Sequence, residues 1–190
     1  YKPEIIKETR EKLGIAPEQK MVLFLMAHAN YVQFESPLFI RWLWDSRDIA
    51  PVFKWHPVTD QTVAEKALKI LGLLPPVKNL HQANTYHLIA AADACVLVGN
   101  STTGIEVLSF GKPLIEVPLP DQSYSFTAQG VSEISGSLED LGPRLRLLFN
   151  NGPPPKREEK LKEFMARHFA FWDGETAVRV ADLAQSLLSP

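Results

Sequence analysis

A single cysteine in 190 residues, Cys95, rules out a disulfide within the chain. It lies in the apolar run Ala94-Cys95-Val96-Leu97-Val98, where a thiol acts as a small core side chain. A reducing cytoplasm suits it. No apolar run approaches the ~20 residues that would span a bilayer. Neither charge is in excess: 20 basic against 22 acidic residues give a net charge of −2, which supplies no field for nucleic acid or an anionic membrane. A bound phosphate would therefore need local donors. The Walker loop, the G-x-G-x-x-G turn and any His, Cys or Asp cluster at metal-ligand spacing are also missing. No cofactor and no protein-bound metal are expected, and no nucleic-acid partner. The chain opens Tyr1-Lys2-Pro3, without an initiator methionine or a signal-peptide pattern, and reads as a piece of a longer protein. The expected location is the cytoplasm, with the inner face of the membrane as the alternative.

What is present is alternation. Short apolar runs at Met21–Ala27, Ile49–Trp55, Val77–Leu80, Cys95–Gly99 and Leu114–Val117 have strand length, and Val131–Ile134 offers a short sixth. Runs that are apolar throughout suit strands buried on both faces. Helical patterns lie before and between them, over residues 3–13, 35–46, 60–71, 84–92 and 101–110, and Leu138, Leu141, Leu145 and Leu148 mark another. Strand–helix alternation predicts an α/β fold, Rossmann-like, with three α/β/α layers around a mostly parallel sheet of about six strands. Asn150-Asn151-Gly152-Pro153-Pro154-Pro155 reads as a linker that ends this domain at residue 150. Residues 151–190 then carry a solvated charged helix, Lys156–Ala166, and an amphipathic helix opened by Asp173-Gly174. These helices are expected to pack on the domain or to cross to another one.

Parallel sheets bind ligands outside the carboxyl ends of their strands. The loops after Ala27, Trp55, Leu80, Gly99 and Val117 are therefore the candidates. Gly99-Asn100-Ser101-Thr102-Thr103-Gly104-Ile105-Glu106 joins a strand to a helix through small and hydroxyl-bearing residues. Helix-opening amides can seat a phosphate. Gly99 and Gly104 would allow close approach, and Ser101, Thr102 and Thr103 could add hydroxyl donors. Glu106 better suits sugar or ribose hydroxyls. A plain capped turn, with Glu106 favouring the helix dipole, is the alternative. His56, held extended by Pro57, could pair with a phosphate oxygen or simply bond a neighbouring carbonyl. His28, in Met26-Ala27-His28-Ala29-Asn30, could be a phosphate ligand, a general base or structural.

His87–Val117, HLIAAADACVLVGNSTTGIEVLSFGKPLIEV, resembles the donor-binding stretch in the C-terminal domain of GT-B glycosyltransferases, and UDP-N-acetylglucosamine 2-epimerases show a similar stretch. Pro118-Leu119-Pro120-Asp121-Gln122, followed by Gly130, is similar to the element that lies near the donor sugar in such transferases. The resemblance implies Glu106 on the ribose and Ser101, Thr102, Thr103 and Gly104 facing the diphosphate. Asp121 and Gln122 would contact the sugar. It implies transfer of a sugar from a nucleotide-sugar, expected to be UDP-linked, within cell-envelope polysaccharide synthesis. The acceptor and the general base would belong to an N-terminal domain outside this chain, so the 190 residues alone should bind without catalysing. Three alternatives stay open. Lys54-Trp55-His56-Pro57 resembles the His-Pro element of CDP-glycerol-type glycerophosphotransferases. The epimerases carry Gly-His-Arg-Arg-Glu-Asn where this chain has Ala27-His28-Ala29-Asn30, without the arginines. That departure also admits a non-catalytic nucleotide-sugar-binding module.

Overall fold

The computed structural model describes residues 1–26, 45–57, 59–60, 62, 69, 78–80, 83–117, 126–169 and 173–188. Six strands are present among them: β1 Lys20–Met26, β2 Ile49–Trp55, β3 Lys78–Leu80, β4 Ala94–Val98, β5 Leu114–Val117 and β6 Glu133–Ile134. They form one sheet in the order β3-β2-β1-β4-β5-β6, and every pairing is parallel. That is the order of doubly wound nucleotide-binding sheets. The chain builds outward from β1 to β3 on one side and from β4 to β6 on the other, so the topological switch lies between β1 and β4.

The described helices are α1 Pro3–Lys12, α2 Thr85–Ala91, α3 Thr103–Ser109, α4 Leu138–Asn151, α5 Arg157–His168 and α6 Thr176–Leu188. The helices expected over 35–46 and 60–71 fall almost wholly outside the described residues. Successive strand residues point to opposite faces. Val22, Phe24 and Met26 meet Leu141, Leu145 and Leu148 of α4 on one face. Met21, Leu23 and Leu25 meet Leu88 and Ile89 of α2 and Val107 and Leu108 of α3 on the other. Three layers result, with the sheet as the middle one. Cys95 is buried in the second cluster, and burial pushes its thiol up to about 12.

Asp93 fastens the amino edge of the sheet. Its Oδ2 accepts from the Met21 amide at 2.7 Å and from Arg10 Nη1 at 3.0 Å, while Arg10 Nη2 donates to the Gln19 carbonyl at 2.6 Å. The aspartate of the Ala-Ala-Asp sequence thus serves the fold, at the end of β4 remote from the candidate loops.

Two expectations about residues 138–168 change. Asn150 and Asn151 complete α4, and the chain turns only at Gly152, whose φ of 73° is left-handed. The helix read as charged and solvated, and expected to pack on the domain or to cross to another one, is anchored to this domain. Phe164 of α5 is buried edge-on to Phe126, with ring centroids 6.0 Å apart. Buried Arg157 donates to the Val131 carbonyl at 3.3 Å and to the carbonyls of Gly111 and Lys112. Residues 157–168 therefore share the core of the sheet domain. By contrast, α6 buries no residue.

Candidate functional site

Strand register sets the floor of the site. Lys54 of β2 pairs with Leu25 of β1, Leu25 with Leu97 of β4, and Leu97 with Glu116 of β5. This row crosses the switch point one residue from the carboxyl ends of β1, β2, β4 and β5. An open cleft of about 710 Å³ lies above it, within the range of small-ligand sites. One wall is Lys54, His56 and Pro57; the second is Ala83–Tyr86, which opens α2; the third is Ser101, Thr102, Thr103 and Glu106. At its base is a recess of about 50 Å³, floored by Leu25, Met26, Trp55 and Leu97. The polar residues Lys54, His56, Thr85, Ser101 and Thr103 converge on the recess.

Each wall has a local cause. Gly99 follows β4 with φ of 79°, a conformation that side chains resist, and its amide continues the ladder to the Val117 carbonyl at 3.0 Å. Ser101 then folds back: its hydroxyl accepts from the Thr103 amide at 3.2 Å and donates to Thr103 Oγ1 at 3.0 Å. The Gly104 amide donates to the Ser101 carbonyl at 3.2 Å, and the Ile105 amide to the Thr102 carbonyl at 2.9 Å. The amides that open α3 are thus engaged within the turn, and side chains form the surface facing the cleft. Gly104 has a packing reason to be glycine, since a β-carbon there would overlap the Phe126 ring. Gly99, Asn100 and Gly104 are not part of the cleft wall among the described residues. Asn84 caps α2 by accepting from the amides of Tyr86, at 2.9 Å, and His87, at 3.3 Å. That cap sets Tyr86, 48% exposed, beside Glu106, and its hydroxyl donates to Glu106 Oε1 at 3.4 Å. His56 is placed by its amide, which donates to the Met26 carbonyl at 3.1 Å, and by the turn in which the Thr59 amide returns to the His56 carbonyl at 2.9 Å.

The structure therefore brings His56, Ser101, Thr102, Thr103 and Glu106 around one cleft. His28, Asp121 and Gln122 lie outside the described residues, as does Trp172. Several cleft residues were not assigned to a site from the sequence, Lys54, Asn84, Thr85 and Tyr86 among them. Tyr86 sits on an ordinary helix start and carries no pattern of its own. Lys54 did carry a signal, being the one charged residue in Ile49–Trp55, on a strand otherwise apolar. The residue is only 6% exposed, and Nζ donates to the Trp55 carbonyl at 3.1 Å. Burial holds its pKa below the ordinary lysine value.

No family model and no curated protein matches the chain. Solved structures do. The C-terminal CMP-Kdo binding domain of WaaA from Acinetobacter baumannii is 13% identical with a TM-score of 0.61, over 84% of this chain and 95% of that one. The wall teichoic acid polymerase TagF is 14% identical with a TM-score of 0.70, over 97% of this chain and 47% of that one. Anabaena Alr3699/HepE, in complex with UDP-glucose, is 15% identical with a TM-score of 0.63, over 88% and 49%. The chain thus matches a whole isolated domain of the first and about half the length of the other two. At these identities the likeness establishes the Rossmann-like α/β/α fold. No helix among the described residues is long and apolar enough to cross a membrane.

Proposed function

We propose that the chain is the donor-binding half of an enzyme that transfers a sugar from a nucleotide-sugar to an acceptor held by a second domain. The observation that carries this reading is chemical sorting within one cleft. His56, Ser101 and Thr103 gather phosphate-binding groups at its base, while Glu106 offers a carboxylate for a vicinal diol at its rim. The structural neighbours that bind CMP-Kdo and UDP-glucose share the fold that frames this cleft. In this reading the phosphates meet hydroxyls and imidazole more than bare helix amides, because Ser101 already occupies the Thr103 amide. Asp121 and Gln122 are assigned to the donor sugar, His28 to the phosphates or the general base, and no metal or cofactor takes part. The second domain would lie against α6, whose apolar residues face outward.

Calorimetric titration of the 190-residue chain with UDP, CDP and CMP tests the reading. Binding is expected without turnover; no heat with any of them up to millimolar concentration rejects it. Glu106→Ala is expected to lose about 1–3 kcal/mol of nucleotide affinity with little loss of stability, since a partly exposed carboxylate with one long hydrogen bond holds little of the fold together. A second reading, transfer of a glycerophosphate from a CDP-linked donor, is favoured by His56-Pro57 at the junction of recess and cleft and by the likeness to TagF. Preference for CDP over UDP would select it.

A further inference from the structure

We infer that Lys54 is the cation that fixes the ligand's phosphate in the recess, and that the recess takes a phosphoryl group while the outer cleft takes the rest. The inference rests on the cleft being a nucleotide site and names the residue that makes it selective for the phosphorylated end. Three observations support it. Lys54 lies on the sheet face that carries α2 and α3, in the same row as Leu25 and Leu97, so its stem runs along the recess floor. Its ammonium is tied to the Trp55 carbonyl at the very end of β2, where recess and cleft meet, and it lines both. Across from it stand the hydroxyls of Thr103 and Thr85, which can donate to the same anion, with Ser101 behind them holding Thr103 in place.

Size and cost point the same way. About 50 Å³ admits a phosphoryl group, whereas a base or sugar ring must stay in the cleft of about 710 Å³. Burial makes a lysine costly to keep charged, whatever its present partners, and a further anion in front of it adds to the stabilisation of its charged form. An ammonium, with three donors, can hold the anion together with the Trp55 carbonyl. The lowered pKa of Lys54 has this same origin in burial, and a bound phosphate would raise it again.

The test titrates the 190-residue chain with UDP, inorganic pyrophosphate and uridine, comparing wild type with Lys54→Met and Lys54→Arg. Lys54→Met is expected to bind UDP and pyrophosphate at least about tenfold more weakly. Uridine affinity should be unchanged, and the thermal midpoint without ligand should be equal or higher. Lys54→Arg, which keeps the charge, should retain most of the affinity. Wild-type affinity for UDP in a folded Lys54→Met protein overturns the assignment and leaves the nucleotide reading intact. Equal losses in Met and Arg variants also overturn it, because charge would not then be the property that matters. Pyrophosphate binding that depends on Lys54, with no UDP binding, upholds the assignment and rejects the nucleotide reading. A wild-type chain that binds neither rejects both.

Discussion

Glu116 and Lys54 stand in one row of the sheet, buried on either side of the switch point. Glu116 is satisfied by its own protein. Its carboxylate accepts from the Thr127 amide and hydroxyl and from the Ser132 hydroxyl, each at 2.6 Å, and from the Phe126 amide at 3.4 Å. These bonds hold residues 126–132 against β5. Glu116→Gln replaces one acceptor oxygen with an amide that faces donors, and should cost roughly 1–3 kcal/mol, read as a lower urea midpoint. An unchanged midpoint would mean that the carboxylate is not the anchor of this segment. Neither residue's role was legible in the sequence. Each is a single charge in an apolar run; the partners of Glu116 come from 10 or more residues away, and the cleft that Lys54 lines is assembled from separate loops. Gly104 makes the same point: the ring that requires a glycine belongs to Phe126.

At the scale of elements, apolar continuity made the strands legible, because a strand covered on both faces has no polar side to obscure its length. Observed strand ends differ from the expected ones by only a residue or two, which is the reach of end effects. The turn after β4 was legible as a site for the same reason, since small residues between a buried strand and a helix mark a carboxyl-edge loop. Its internal bonding was not, because the Thr103 amide's donation to the Ser101 hydroxyl, in place of an outside acceptor, leaves no trace in composition. Packing of α5 on the domain was one of two expectations, but the residues that dock it were hidden. Eight of its twelve residues are charged or histidine, in REEKLKEFMARH, and two buried side chains, Arg157 and Phe164, do the anchoring. Arg157→Met should remove three carbonyl contacts while keeping most of the stem, at a cost of about 1–3 kcal/mol. For a chain of this size that is a fall of several degrees in thermal midpoint. A midpoint within one degree of wild type would show that Phe164 alone holds α5.

At the scale of the whole molecule, the sheet domain and α5 form one core, while α6 stands outside it. Asp173 steadies its start, accepting from the Glu175 amide at 3.0 Å and from both terminal nitrogens of Arg179, at 2.9 and 2.8 Å. Its large apolar residues are exposed, Leu187 by 77% and Leu188 by 84%. A helix with one apolar stripe keeps that stripe for a partner surface. TagF and HepE chains are about twice as long as the part this chain matches, which is room for a second domain of similar size. If α6 serves that domain, charges on its stripe should cost this chain nothing. Leu183→Glu with Leu187→Glu is therefore expected to move the unfolding free energy by less than about 0.5 kcal/mol, the usual range for open surface sites. It should also raise solubility. Arg157→Met in the neighbouring helix is the internal control, since it must destabilise the same chain. A loss above about 1 kcal/mol from the α6 pair would place the stripe against this domain's own surface and reject α6 as a partner's seat.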